Sequence, residues 1–177
     1  MRFSATLSDD RRHAYRVDME WDSARPPGCI VVGRFGRAPL SAGRPDLMRC
    51  RRWGMRLGLG SVAVVPLVTL IAPSLGDALA SPDAVGPDAA RHLLGAAREA
   101  ASRGGPVIAA WGDRYGELAL GAMRLLEGEG IRVVALELTC HGNPGTPSRR
   151  SRFRSLSPVP VTVHSPRRRY FDDVEGI

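Results

Sequence analysis

Residues 29–35 read CIVVGRF, a short and almost continuously apolar run that ends at a glycine and an arginine. A run of this length without polar alternation is typical of a strand that is covered on both faces of a sheet. Three further runs of this kind follow along the chain: 61–68 (SVAVVPLV), 106–111 (PVIAAW) and 131–136 (IRVVAL). The sequence therefore predicts four buried, mostly parallel strands.

The segments between these runs favour helices. The first is predicted from Asp46, as a cap, to residue 57, the second from Pro87 to residue 102, and the third from Asp113 or Arg114 to residue 127. A helical turn is expected near residues 74–80. Outside this pattern, residues 13–21 alternate like a half-buried strand, and an extended piece is expected near residues 159–163.

Together these elements predict an α/β fold with three layers. A short parallel sheet of about four strands has helices on both faces and right-handed crossovers. One domain is expected over residues 13–165, between a flexible N-terminus (1–12) and a C-terminal tail (166–177). Because such folds bind ligands at the carboxyl ends of their strands, the site is predicted in loops 36–46, 66–76, 111–116 and 138–150.

The charge is basic and unevenly placed. The 177 residues carry a formal net charge of +7, and all 25 basic residues are arginine. Residues 149–169 hold seven arginines and no acidic residue. Such a run indicates either phosphate contacts with nucleic acid or a solvated tail, and both interpretations stay open.

Several functional classes lack their signatures. Residues 1–16 are broken by charge and do not resemble a signal peptide, and no apolar run is long enough to cross a bilayer, so we expect a cytoplasmic protein without membrane contact. The three cysteines form no CxxC pair, and no phosphate-binding GxxxxGK loop or GxSxG elbow is present. We therefore predict no metal and no cofactor; the oligomeric state stays open.

Two of the predicted site loops contain residues with chemical potential. In WGDRYG (111–116), Trp111 or Tyr115 suits stacking on a base and Asp113 suits accepting its hydrogen bonds. The alternative makes Trp111 a core residue and Asp113 a helix cap. In TCHGNPGTPS (139–148), backbone amides near the glycines suit an anion, and His141 is either a catalyst or an exposed loop histidine.

Several motifs carry a resemblance that extends from about Tyr15 to Pro160. They are VGRF (32–35), PDLMRCRRWGMRLGLGSVAVVPL (45–67), SPDAVGP (81–87), VIAAWGDRYG (107–116) and GNPGTPS (142–148). In order and spacing they resemble the family known as domain of unknown function 1643. That family in turn is similar in motif order to uracil-DNA glycosylases. The resemblance implies a uracil-DNA-glycosylase-like fold that binds a nucleobase or nucleotide at the carboxyl edge of its sheet.

The chain departs from the family pattern at two places. Members usually carry Asn-Pro-Ser directly after the first buried strand, whereas this chain reads GRAPLS at residues 36–41. A histidine usually precedes the proline of the last loop, where this chain has Thr146. In a glycosylase, these positions would activate the water and stabilise the departing base. Asp46, Asp113 and His141 are the candidates to replace them.

Three hypotheses follow from these features. The first is a nucleobase- or nucleic-acid-recognising enzyme that hydrolyses N-glycosidic bonds. The second is a nucleic-acid-binding module without catalysis, and the third is a small-molecule enzyme of a biosynthetic or defence cluster. The candidate catalytic residues are Asp46, Asp113 and His141. The candidate binding residues are Gly36, Ser41, Trp111, Gly112, Tyr115, Asn143, Thr146, Ser148, Arg149 and Arg150.

Overall fold

The computed structural model describes residues 1–36, 40–147 and 159–161, which form a seven-stranded mixed sheet and four helices. The strands are β1 (Arg2–Leu7), β2 (Ala14–Glu20), β3 (Pro27–Arg34), β4 (Ser61–Val68), β5 (Val107–Ala110), β6 (Val133–Ala135) and β7 (Val159–Pro160). The helices are α1 (Pro45–Arg56), α2 (Leu75–Ala80), α3 (Ala89–Ser102) and α4 (Gly116–Gly128).

The sheet order is β1-β2-β4-β3-β5-β6-β7. Strands β4, β3, β5 and β6 run parallel, while β1 and β2 add an antiparallel edge on one side and β7 adds one on the other. After β3 the chain moves to one side to form β4, and it then returns past β3 to form β5. This change of direction creates a topological switch point between the carboxyl ends of β3 and β5.

The core lies on both faces of the sheet. Along β3, Cys29 and Val31 pack in the cluster that includes α3 and α4, whereas Ile30 and Val32 pack in the cluster that includes α1. Because successive side chains of a strand point to opposite faces, α1 covers one face and α3 and α4 cover the other. The three-layer α/β fold and the four parallel strands are thus confirmed.

The predicted number of strands is wrong, because the sheet continues beyond the parallel strands on both sides. Within the N-terminus predicted to be flexible (1–12), Arg2–Leu7 form β1 and pair with β2. Phe3 and Ala5 of β1 are partly buried against the core on the α1 side. The sheet therefore includes residues that precede the predicted domain boundary at residue 13.

The starts of three helices differ from the predictions. Arg44, not Asp46, is the N-cap of α1, and the Asp46 carboxylate is hydrogen-bonded to the Arg44 guanidinium. Pro87 lies in a turn before α3, whose N-cap is Asp88. Asp113 is not a cap of α4 either: that helix starts after Tyr115, and the Asp113 carboxylate accepts hydrogen bonds from another loop.

Gly105, two residues before β5, tests how closely the chain packs against β3. A Cβ atom at Gly105 would overlap the backbone carbonyl of Pro27, so Gly105→Ala should lower the free energy of unfolding by about 1–3 kcal/mol or more. Gly95 lies on the exposed side of α3 with open space around it, and Gly95→Ala should raise stability by about 0.5–1 kcal/mol. Urea unfolding followed by circular dichroism measures both. Equal stability of the two variants would contradict this packing.

Candidate functional site

A cavity of about 150 Å³ lies at the switch point between the carboxyl ends of β3 and β5. Apolar side chains from β3, β4, β5 and α1 form much of its wall, and its polar lining comes from Arg34, Asp46, Tyr115 and Thr146. Pockets for drug-sized ligands are larger, roughly 300–1,000 Å³. The cavity therefore suits a single planar ring or a molecule of similar size.

The two aromatic residues of the WGDRYG loop have different environments. Trp111 is only 2% exposed and belongs to the core on the α3 side, so the core interpretation is confirmed for this residue. Tyr115 is partly exposed and its ring lies against the backbone of Gly33, where any Cβ atom would overlap it. Tyr115 is therefore the aromatic side chain that remains accessible for stacking.

The ionisation of Tyr115 is set mainly by its burial. Partial burial raises the pKa of the phenol above its ordinary value, and the positive charges of Arg34 and Arg114 oppose this without cancelling it. The hydroxyl consequently stays protonated near neutral pH. It can both donate and accept one hydrogen bond at the cavity wall.

Asp46 lines the same cavity and forms an ion pair at its edge. Its Oδ2 lies 2.6 Å from Nη2 of Arg44, and its Oδ1 accepts from Nε of Arg44 and from the backbone N–H of Leu47. Burial raises the pKa of Asp46, but the hydrogen bonds and the charge of Arg44 outweigh this and hold it below the usual value. The carboxylate is thus anionic and paired, which suits binding better than proton transfer.

A second polar cluster lies where the loops after β5 and β6 meet. Asp113 Oδ1 accepts hydrogen bonds from the Thr139 hydroxyl at 2.6 Å and from Nδ2 of Asn143 at 2.8 Å. Nδ1 of His141 lies 3.3 Å from Asp113 Oδ2. The structure therefore brings together three residues that the sequence analysis selects in two different loops: Asp113, His141 and Asn143.

These contacts determine the state of Asp113. Partial burial raises its pKa, yet hydrogen bonds from Thr139, Asn143 and His141 outweigh this effect, and the pKa lies below its ordinary value. An anionic carboxylate bonded to Nδ1 of a histidine fixes the ring orientation and leaves Nε2 free to accept a proton. Asp113 is therefore suited to position His141, whose side chain is 65% exposed.

The two loops are joined by backbone contacts that require glycine. Gly112 has a φ of +82°, which L side chains rarely adopt, and its N–H donates to the carbonyl of Pro144 at 2.8 Å. A Cβ atom at Gly112 would also lie 3.0 Å from the methyl group of Thr146. The N–H of Gly145 donates to the carbonyl of Glu137, which fixes the second loop to the end of β6.

The three cysteines differ in their surroundings. Cys29 and Cys50 are fully buried, and burial raises the pKa of each thiol to about 12. Cys140 is exposed, and its sulfur lies 3.5 Å from Nδ1 of His141. Because Nδ1 also faces Asp113, the thiol and the carboxylate share one ring nitrogen.

The remaining predicted residues lie at the margins or outside the described part. The carbonyl of Gly36 accepts from the Arg44 guanidinium, and the carbonyl of Ser41 accepts from the backbone N–H of Arg44. These two residues stabilise the turn into α1 and do not line the cavity. Three predicted residues and the other arginines of the basic segment lie outside the described residues: Ser148, Arg149 and Arg150.

Sequence reasoning missed two residues of the site. Thr139 donates to Asp113, and its hydroxyl oxygen also accepts from the backbone of His141 and Asn143, so it organises the whole loop. Arg34 is the last residue of β3 and lines the cavity. The sequence does contain a signal for Arg34, because an arginine at the carboxyl end of a buried strand lies at the edge where ligand sites form.

A second cavity among the described residues has its charged groups already paired with one another. This cavity, of about 200 Å³, lies beside the amino ends of β3 and β4, where Arg16 already pairs with Asp18 and Glu99 at 2.7 Å each. Ligand sites of open parallel sheets form at the carboxyl ends of the strands, and the charges of this other cavity are satisfied internally. We therefore assign the candidate site to the switch point.

Residues 1–36, 40–147 and 159–161 lack two features, a membrane-spanning helix and a metal-binding group of side chains. None of the helices in these ranges combines the length and apolar character required to cross a membrane. Histidine, cysteine and carboxylate side chains in the same ranges form no group of three or more that could hold a metal ion.

The fold and site together define an α/β protein with a small cavity at the carboxyl edge of a parallel sheet. Residues 15–148 match the family described as protein of unknown function (DUF1643). The match covers more than half of the chain, and the chain belongs to this family. No curated protein and no solved structure matches the chain.

The lowered pKa of Asp113 predicts a pH dependence of stability. The unfolded carboxyl takes up a proton near pH 3.9, before the folded one does, so the contribution of Asp113 is complete above that pH and is lost as the pH falls through the folded pKa. Asp113→Asn should therefore be less stable than wild type at pH 7, by an amount that shrinks at pH 3. Urea unfolding at pH 3, 4, 5 and 7 measures this.

Asp9→Asn is the matched control, because it removes a carboxylate from the turn between β1 and β2. A stability difference for Asp113→Asn that stays constant from pH 7 to pH 3 would show that the carboxylate charge does not stabilise the loop cluster.

Proposed function

We propose that this protein recognises a nucleobase at the switch-point cavity and hydrolyses an N-glycosidic bond, in DNA or in a nucleotide. The observation that carries the proposal is a cavity of about 150 Å³ on the same sheet edge as a histidine positioned by a carboxylate. Trp111, which lines the cavity, and Asp113, which bonds His141, are two residues apart in one loop. Binding and proton transfer are thus supplied by neighbouring groups.

In the proposed mechanism, His141 acts as the general base. Its Nε2 accepts a proton from water while the water oxygen attacks the anomeric carbon. The bond to the base nitrogen breaks with its electron pair on that nitrogen, and the departing base then takes up the proton from the imidazolium. Asp113 holds the ring through Nδ1 and stabilises the imidazolium that forms. The base is bound in the cavity, where Tyr115 offers its ring for stacking and its hydroxyl for hydrogen bonding.

The resemblance to uracil-DNA glycosylases supports this proposal through the position of the site. In that motif order the catalytic groups follow the first and last parallel strands. Here the loop after β3 lacks the usual asparagine, and Thr146 stands where a histidine is usual. We propose that Asp113 and His141 replace those two groups and that the chain has a uracil-DNA-glycosylase-like fold.

Catalysis is tested by substitution at the two loops. We expect His141→Ala to lower the rate of base release by about 10²–10⁴-fold, the range typical of a general base. Asp113→Ala should lower it as well, because the histidine loses its orientation. Oligonucleotides and nucleotides with modified bases are screened for release of the free base. Asp9→Ala is the control; wild-type rates in both site variants would refute the assignment.

Nucleic-acid binding is tested by titrating labelled single- and double-stranded oligonucleotides at several salt concentrations, with anisotropy as the readout. We expect affinity to fall steeply with salt, because arginines release counterions from phosphates. Replacing Arg149, Arg150, Arg152 and Arg154 by glutamine should weaken binding and flatten the salt dependence. As a control, glutamine replaces the exposed Arg124 and Arg132, which removes two positive charges outside the basic segment. Binding should weaken less in this variant.

The same titration separates the proposal from its alternatives. Salt-dependent binding without any base release would favour a binding module that has lost the chemistry, in agreement with the altered positions 36 and 146. The absence of binding even at low salt would refute a DNA substrate and direct the search to nucleotides and other small molecules.

A further inference from the structure

Helix α1 carries more positive charge than the helices on the other face of the sheet. It contains four arginines and one aspartate. Helices α3 and α4 together contain three arginines and three glutamates, so their charges balance. The aspartate of α1, Asp46, is paired with Arg44, which precedes the helix. The arginines of α1 therefore give this face of the protein an excess of positive charge.

Three of these arginines form one stripe along the helix. Arg49, Arg52 and Arg56 are three and four residues apart, which places them within about 60° of one another around the helix axis. Arg52 and Arg56 are exposed, and Arg49 is half-buried. The fourth arginine, Arg51, packs over the Trp21 ring instead. We call Arg49, Arg52 and Arg56 the α1 stripe.

The α1 stripe begins at the switch-point cavity. Nη1 of Arg49 donates to the carbonyl of Pro147 at 3.2 Å, and Pro147 lines the cavity. Cys50, the next residue of the helix, lines it as well. Between Arg49 and Arg56 the helix rises by about 10 Å. The stripe thus leads from the edge of the cavity along α1.

The first two arginines of the stripe are not paired with acids. Neither Arg49 nor Arg52 forms an ion pair with any described residue, whereas Arg16 and Arg98 each bind a glutamate at 2.7 Å. Like charges three or four residues apart on a helix repel each other. An anion bound along the stripe would relieve this repulsion.

The spacing and composition of the stripe favour nucleic acid as that anion. The phosphates of one strand follow each other at about 3.4 Å along the helix axis, so a stripe of about 10 Å covers about three of them. The guanidinium group matches the geometry of a phosphate. The core of a protein–protein interface is poor in charged residues, whereas every member of this stripe is an arginine.

We infer that the α1 stripe binds the phosphates of the nucleic-acid strand whose base enters the switch-point cavity. This inference rests on the proposed function and extends its substrate from a single base to the nucleotides beside it. Contacts of this kind position a strand without reading its sequence. The α1 stripe is therefore a binding surface separate from the cavity and from the basic segment at residues 149–169.

The test measures how binding of a labelled single-stranded DNA of about 20 nucleotides depends on salt, with anisotropy as the readout. Each phosphate contact contributes about 0.7 to the slope of log affinity against log salt concentration, so replacing both Arg52 and Arg56 by glutamine should flatten the slope by about 1.4. Arg52→Gln alone should flatten it by about 0.7. The single variant changes an exposed side chain and serves if the double variant fails to fold, which circular dichroism checks.

Replacing both Arg124 and Arg132 by glutamine is the matched control. This variant loses the same two positive charges, but Arg124 lies on α4, on the other face of the sheet, and Arg132 directly precedes β6. Both side chains are exposed. The slope should change much less in the control than in the α1 variant. Equal flattening in the two variants would mean that net charge, not the α1 stripe, is responsible, and it would overturn the inference.

The remaining outcomes separate this inference from the proposed function. Release of bases from free nucleotides without any binding of the oligonucleotide overturns the inference and leaves the nucleobase site standing. Neither release nor binding, even at low salt, overturns both. A labelled polyglutamate peptide that binds as tightly as DNA, and that loses affinity equally in the α1 variant, assigns the stripe to an acidic protein and overturns its assignment to nucleic acid.

Discussion

The enclosure of strand β3 is the constraint on which the rest of the structure depends. Helices cover both of its faces, and parallel strands β4 and β5 pair with both of its edges. Every backbone group along its centre is therefore used by the sheet. Its carboxyl end, at Gly33 and Arg34, lies at the switch point, because the connections after β3 and β5 lead to α1 and α4 on opposite faces of the sheet.

The polar chemistry of this edge depends on how its loops are joined. A backbone hydrogen bond from Gly112 to Pro144 connects the exits of β5 and β6, and the Asp113 carboxylate then bonds the side chains of the second loop. A catalytic group on a loop needs such a support to keep its geometry. The loop cluster and the apolar cavity thus lie at the same edge of the sheet, connected by the loop that carries Trp111 and Asp113.

The four parallel strands were predictable because each is an apolar run of the length that a doubly covered strand needs. Strand β1 was missed although Phe3, Ala5 and Leu7 alternate with polar residues, a weak period-two signal in a polar segment. Sequence also placed Asp113 and His141 on one edge of the sheet. Their contact depends on side-chain packing between distant segments, which no local pattern encodes.

The contrast among the three cysteines gives the molecule an internal reporter. Cys29 and Cys50 are enclosed in the core and remain protonated thiols, whereas Cys140 is exposed beside His141. Alkylating reagents need an accessible thiolate, so in the folded protein they have a single target. A fluorophore attached there sits next to the loop cluster without any engineered residue, so its emission reports on changes in that cluster.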